Sequence, residues 1–379
     1  MKLIHLSDLH LGKRVHEFSM LEDQKYILDQ IIKIIDNEKP DGVIIAGDVY
    51  DKTVPPAEAV QLFDSFLVSL SLRNLKVFVI SGNHDSAERI SFGSRLMDKS
   101  GIYLAPVYDG KVEPIVLSDP YGEVNIYMLP FLKPSHVKRF YEEEEITSYT
   151  DAISIAVQNM SVNETERNLL ITHQFVTGAS RCDSEDISVG GSDNVDAAAF
   201  KGFDYVALGH LHNPQNVGSN TVRYCGTPLK YSFSEADRKK AVTVVTLCEK
   251  GSIFIDTIPL IPKRDLKEIR GTYTEITQRS FYEKTSYRED YVHITLTDEE
   301  DIPDAVGKLR TIYHNLMKLD YDNKRTRFHF EILGDDSVEQ KTPLELFCEF
   351  YEKQNNQPMR EEQQSFTSDM IRKIWEDEI

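Results

Sequence analysis

Six short β-branched runs punctuate the first two-thirds of the chain: KLIHLS from Lys2, GVIIAGD from Gly42, KVFVISGNHD from Lys76, VNIYMLP from Val124, NLLITHQ from Asn168 and FDYVALGH from Phe203. Five of these lead into Asp, His or Asn, in the segments Asp8-Leu9-His10, Gly47-Asp48-Val49-Tyr50-Asp51, Gly82-Asn83-His84-Asp85, His173-Gln174 and Gly209-His210-Leu211-His212. Helical periodicity separates several of the runs. Leu21 to Ile35 is a helical pattern with apolar residues at Leu21, Tyr26, Ile27, Ile31, Ile32 and Ile35, and Ala57 to Leu70 follows the start signal Pro55-Pro56. Strands alternating with helices build βαβ units in a layered α/β domain. Ligands of such sheets bind outside the carboxyl ends of the strands, so the five polar segments are expected to converge on one crevice.

Their chemistry narrows what would occupy it. Carboxylates, imidazoles and an amide oxygen, with no thiolate, suit Mn²⁺, Fe²⁺ or Zn²⁺ better than Ca²⁺ or a structural zinc. Asp8, His10, Asp48, Asn83, His173, His210 and His212 are too many ligands for one ion. Two ions sharing a carboxylate would use them all and form a clamp suited to phosphoryl displacement. Asp85 is expected to organise a turn.

From about Ala241 the strands follow one another without helices, in AVTVVTL and SIFIDTIPLI, and Ile261 to Asp265 looks like a boundary. Three segments are expected: a core over 1–265, a compact α+β unit over 266–333 and a helical segment over 334–379. The second would contain a strand near Asp290 to Asp298, an amphipathic helix from Ile302 to Met317 and a strand near Arg325 to Ile332. The third has apolar faces at Leu344, Phe347, Phe350 and Tyr351 and at Met370, Ile371, Ile374 and Trp375, which need a surface to dock on.

The four cysteines, Cys182, Cys225, Cys248 and Cys348, form no CxxC pair and are expected to be buried reduced thiols. No apolar run is long enough to span a bilayer, and the opening MKLIHLSDLHLG reads as a strand and loop rather than a secretory signal, so a cytoplasmic address without membrane attachment is expected.

The motifs DxH, GDxxD, GNHD, a lone His and GHxH resemble those of the calcineurin-like metallophosphoesterases. The stretches HLSDLHLGK, HQFVTGASRCDSEDISVGG, DNVDAAAFKGFDYVALGHLHNPQ and YCGTPLKYSFSEA are similar to the SbcD family of nuclease subunits, relatives of the Mre nucleases. RGTYTEI and LRTIYHNLMKLDYDN continue the likeness into a cap-like segment. The resemblance implies a β-sandwich core flanked by helices, a small α+β cap and C-terminal helices. It implies one metal on Asp8, His10, Asp48 and His212, and another on Asp48, Asn83, His173 and His210, with Mn²⁺ the expected ion. By the same resemblance His84 would act on the scissile phosphate without holding metal, and Asp51 would match the carboxylate that orients this histidine in some relatives.

The implied activity is 3'-5' exonuclease on duplex DNA and endonuclease on single strands and hairpins, in repair, recombination and replication. The implied assembly is a heterotetramer of two nuclease and two SbcC-type ATPase subunits, around a homodimer made by the helices after the second and third motifs, here Ala57 to Leu70 and Ser86 to Asp98. The chain has no GxxxxGK[ST] loop, so any ATP dependence must come from that partner. A small-molecule phosphodiesterase or phosphatase on the same core is the alternative. Lys52 after GDVYD, where the superfamily's protein phosphatases carry Arg, weighs against the phosphatase. A third reading makes the chain mainly an interaction subunit.

A net charge of −19 opposes non-specific DNA binding at first sight. However, residues 142–166 and 334–379 together carry −14 of it, and neither stretch holds a metal motif. Lys13, Arg14 and Arg89, next to the motifs, are the candidate DNA contacts; Arg238, Lys239 and Lys240 form a further basic group.

Overall fold

In the computed structural model, residues 1–185, 193–324, 326, 342–355 and 357–376 are described. The chain divides into two compact units, Met1–Asp265 and Leu266–Ile379.

The first unit is built on two six-stranded sheets. One runs in the order Ile253–Pro259, Ala241–Leu247, Lys2–Leu6, Gly42–Ala46, Lys76–Ile80, Ile102–Leu104. Its last four strands are parallel, and the two contributed by AVTVVTL and SIFIDTIP close the edge antiparallel. The other runs Gln215–Val217, Ser219–Tyr224, Tyr205–Gly209, Arg167–His173, Gly122–Leu129, Ile115–Asp119, with a parallel centre and antiparallel margins. Leu3, Ile44, Ala46, Phe78 and Ile80 from the first sheet meet Ile126, Met128, Leu169, Ile171 and Ala207 from the second in one apolar layer. Parallel strands buried on both faces read as unbroken apolar runs, which is why these are conspicuous in the sequence. The helix Leu21–Glu38 buries Ile27, Leu28, Ile31 and Ile35, and Ala57–Ser71 buries Phe63, Phe66 and Leu70.

A buried histidine lies against this layer. His5 is fully buried, with Nδ1 2.9 Å from the Tyr205 hydroxyl and Nε2 without a hydrogen-bond partner among the described residues. Burial, helped by the charge on Arg223, pulls its pKa down to about 3. The unfolded chain takes up that proton near pH 6.5, so stability is full above 6.5 and falls as pH drops from 6.5 towards 3. About 2 kcal/mol should be lost by pH 5 from this residue. Denaturant midpoints at pH 7 and pH 5 test it: His5→Gln should have a shallower acid slope than the parent, and equal slopes would refute the assignment.

In the second unit three parallel strands, Leu266–Gly271, Tyr291–Leu296 and Asn315–Tyr321, enclose a core of Ile269, Ile276, Val292, Ile294, Leu309, Tyr313 and Leu316. Here the expectation from sequence needs correction. The expected helix from Ile302 to Met317 is helical only over Ala305–Arg310, and Asn315 onward is strand. Leu309, Tyr313 and Leu316 have helical spacing, but a helix followed by a turn and a strand delivers them to the same core, so periodicity alone could not separate the two. The expected strand near Arg325 to Ile332 lies outside the described residues. The C-terminal helices Pro343–Asn355 and Glu361–Glu376 leave Phe347, Phe350, Phe366 and Met370 exposed.

Two further expectations change. Ser86 to Asp98 forms two single turns, Ala87–Ile90 and Ser94–Met97, interrupted by Gly93 at φ 75°. All four cysteines are free, but only Cys225 is buried. Among the described residues, no helix is long and apolar enough to cross a membrane.

Candidate metal centre

All five polar segments leave neighbouring strand ends and meet between the two sheets. The turns are held by backbone pairing across strands: Asp8 N–H donates to Gly47 O (3.0 Å), His10 N–H to Asp48 O (2.9 Å) and Leu11 N–H to Val49 O (2.9 Å). Asp8, His10, Asp48 and His210 have φ of 52°, 44°, 48° and 102°, a left-handed conformation that non-glycine residues rarely adopt. Such strain persists only where the surroundings enforce it, and it concentrates at functional sites.

Two glycines allow the strands to approach. A Cβ on Gly209 would overlap the carbonyl oxygen of Ala46, and one on Gly82 would overlap Asp48 Oδ1. Gly209→Ala should therefore cost about 1–3 kcal/mol or more, because backbone rather than a flexible side chain is in the way. A fall in melting temperature accompanied by loss of activity is the expected readout.

The side chains converge tightly. His10 Nε2 and His212 Nε2 are 3.1 Å apart. Asn83 Oδ1 is 3.0 Å from both His173 Nε2 and His210 Nδ1. Asp48 Oδ2 lies 3.3 Å from His173 Nε2 and 3.7 Å from His10 Nε2. Asp8 accepts the His210 backbone N–H at 3.0 Å. Asp8, His10 and His212 form one potential cation cradle, and Asp8, Asp48 and His173 another. Thus the structure brings all seven predicted ligands together at one place.

Its electrostatics call for positive charge. Burial, reinforced by the Asp48 charge, pushes the Asp8 pKa up to about 6, although His173 and His212 oppose this. Burial would raise Asp48 too, but the adjacent His173 holds it well below the ordinary carboxylate range. Burial pulls His210 down to about 3 and His10 well below its ordinary value. Burial would lower His173, but the Asp48 and Asp8 charges raise it to about 9, so the site draws positive charge; carboxylates, imidazoles and one amide oxygen fit divalent cations.

His84 is at the rim. Its backbone N–H donates to Asp48 Oδ1 (2.9 Å), its Nε2 is 3.9 Å from Asp48 Oδ2 and its side chain is 21% exposed. Its Nδ1 lies 3.1 Å from the backbone oxygen of Asp51. The Asp51 carboxylate instead pairs with Lys13 Nζ at 2.7 Å. The residue contacting His84 is the one predicted, but through its main chain; no side-chain pattern encodes that. Asp85 accepts the N–H groups of Gly82, Val49 and Tyr50, the turn-organising role expected of it. Arg14 and Arg89 are exposed, whereas Lys13 is half-buried. Lys240 drops out as a surface cation, being buried against Glu235.

Sequence reasoning missed the polar residues beneath the site. Gln24 Nε2 donates to His10 O (2.7 Å) and its Oε1 accepts Gly12 N–H (3.0 Å), so it holds the first metal loop. Its signal was available: Gln24 interrupts the apolar stripe of Ile27, Leu28 and Ile31. Ser184, Glu185 and Glu235 carried no comparable pattern.

Residues 1–214 match the family described as Calcineurin-like phosphoesterase, and residues 262–355 match one described as Type 5 capsule protein repressor C-terminal domain. The chain belongs to the calcineurin-like phosphoesterase family, a class of metal-dependent phosphoesterases. Within it, the chain is 35% identical to the D subunit of the nuclease SbcCD from Staphylococcus epidermidis, over 89% of its own length and 90% of the relative's. It is 33% identical to the D subunit of the nuclease SbcCD from Staphylococcus saprophyticus, over 92% of each. Among solved structures, a dimetal phosphatase from Danio rerio aligns with a TM-score of 0.42 at 12% identity, over 68% of this chain and 95% of its own.

Proposed function

We propose that this chain is the DNA-cleaving subunit of an SbcCD-type complex, hydrolysing phosphodiester bonds at a two-metal centre. The observation that carries the reading is the convergence of seven oxygen and nitrogen ligands from five strand ends, in a chain similar to nuclease subunits over nearly its whole length. That span includes the second unit, which a small-molecule phosphodiesterase on this core would not require.

Asp8, His10, Asp48 and His212 would hold one ion and Asp48, Asn83, His173 and His210 the other. Bound divalent ions would supply a hydroxide nucleophile at neutral pH and charge stabilisation for the phosphate. The protein's own contribution is positional. Asp48 is fixed by the His84 backbone N–H, and His173 is turned by its Nδ1 hydrogen bond to Ala46 O (2.8 Å), which leaves its Nε2 facing the site. With its Nδ1–H donated to Asp51 O, His84 can present a protonated Nε2 to a phosphate or departing sugar oxygen.

Duplex DNA would be held weakly and in a salt-sensitive way by the isolated chain, since Lys13 is already paired with Asp51 and, of the three candidate contacts, only Arg14 and Arg89 are exposed. Firm grip would come from an SbcC-type ATPase, for which the exposed apolar side chains of the C-terminal helices offer a docking face. Exposed Val60, Val68, Phe92 and Leu96 support a homodimer through the elements after the second and third motifs, while Phe63, Phe66 and Ile90 belong to the core. Mn²⁺ is the expected ion, and DNA-end and hairpin processing in the cytoplasm the expected role.

Co-purification with the ATPase and Mn²⁺-dependent digestion of end-labelled duplex and hairpin DNA, with and without ATP, is the test. Metal-dependent cleavage releasing nucleotides from 3' ends is expected. Hydrolysis of small phosphodiesters without DNA cleavage would overturn the proposal.

A further inference from the structure

His212 is fastened from behind by a network that leaves little freedom to its ring. Its Nε2 faces His10 in the metal site, and its Nδ1 lies 2.6 Å from the hydroxyl of Ser184. Ser184 in turn donates to Glu235 Oε1 at 2.8 Å. Glu235 is fully buried, and its Oε1 also accepts the N–H groups of Tyr231 (3.2 Å) and Ser232 (3.1 Å). Its Oε2 pairs with the ammonium of Lys240, which also donates to His212 O and Thr227 Oγ1, each at 2.7 Å. Next to Ser184, Glu185 Oε1 accepts the His212 backbone N–H at 2.6 Å.

The hydrogen bonds have one consistent direction. If Nε2 offers its lone pair to a cation, the ring proton must be on Nδ1, where Ser184 Oγ accepts it, and the serine proton then goes to Glu235. Histidine ligands usually pass their second nitrogen's proton to a carboxylate or carbonyl, which sets ring orientation and raises basicity. Here a serine stands between the imidazole and the carboxylate. Cys182, His212 and Glu235 are also close enough to be taken for a cation cradle of their own. Lys240 already neutralises Glu235 there, so a further cation would meet like charge.

We propose that Ser184 is a positioning residue, which relays the Glu235 carboxylate to His212 and makes that imidazole a competent metal ligand. The inference rests on the ligand set proposed above, and it couples Ser184 to metal retention.

Mn²⁺ titration of the metal-free full-length chain, read from the electron paramagnetic resonance of free ion, tests it. Ser184→Ala should weaken binding of one ion by about 10- to 100-fold, with the metal-free melting temperature unchanged. Ser184→Thr keeps the hydroxyl and should restore most of the affinity. Cys182→Ala should bind like the parent. Parental affinity in Ser184→Ala would overturn the relay, as would a Ser184→Thr protein as weak as Ser184→Ala, or weakened binding in Cys182→Ala from loss of a thiol ligand. Asp48→Ala separates the two levels: its loss of Mn²⁺ alongside an unaffected Ser184→Ala would sink the relay alone, whereas its retention of Mn²⁺ would sink the ligand set and the relay together.

Discussion

Asp48→Ala is expected to abolish stoichiometric Mn²⁺ binding and hydrolysis together. Asp48 is the only proposed ligand assigned to both ions, and its Oδ2 lies within 3.7 Å of a ring nitrogen from each set, His10 and His173. Its other oxygen accepts the His84 backbone N–H, so the same change loosens the catalytic loop. Metal-supplied nucleophile and charge stabilisation are each worth several kcal/mol, so a fall of about 10³-fold or more is expected. Asp48→Asn is the more discriminating variant. It retains the shape and an acceptor for His84 but lacks the charge that two cations share, and it should lose metal while remaining folded by circular dichroism. Metal content and rate together decide the matter; an Asp48→Asn protein that retained two Mn²⁺ would contradict the bridging assignment.

His84→Ala should separate the two readouts, with metal content retained and turnover lost. His84 lies at the rim, with Nε2 3.9 Å from the nearest Asp48 oxygen and its ring partly open to substrate. A positioned proton donor contributes about 10²–10⁴-fold, so kcat should fall by that amount with little change in KM. The leaving group provides a second readout. If Nε2 protonates the departing oxygen, the defect should shrink on an aryl phosphodiester, whose leaving group needs no proton. A defect of equal size on both substrates would assign His84 to charge stabilisation instead, and unimpaired DNA cleavage would remove it from the mechanism.

These two residues show why the centre is legible in the chain's local pattern. Each metal motif combines a run of β-branched residues, which ends as a buried parallel strand, with a turn carrying Asp, His or Asn. The strand ends Leu6, Ala46, Ile80, His173 and Gly209 are where the runs predicted. Side-chain type supplied the chemistry, because oxygen and imidazole ligands without thiolate restrict the choice of ions. The misreadings came from places where local pattern underdetermines structure. Leu309, Tyr313 and Leu316 satisfy a helical period and also a helix-turn-strand path into the same core. Lys240 looks like one of three adjacent surface cations, yet it is buried beside Glu235, a long-range consequence of how the 227–240 loops fold back beneath His212.

By itself, then, the sequence determined the layered α/β core, the order of its strands along the chain and the set of candidate ligands, because burial periodicity and metal preference are properties of nearby residues. Only the tertiary structure decided which nitrogen of each histidine faces the site, that Asp51 meets His84 by its carbonyl while its carboxylate takes Lys13, and that Ser184 and Glu235 stand behind His212. The Asp51 and Ser184 relations join residues 28 to 51 positions apart, and the histidine nitrogens are set by contacts 90 to 202 positions apart. Folding sets such relations by closing one sheet over another, and no local pattern of residue types encodes them.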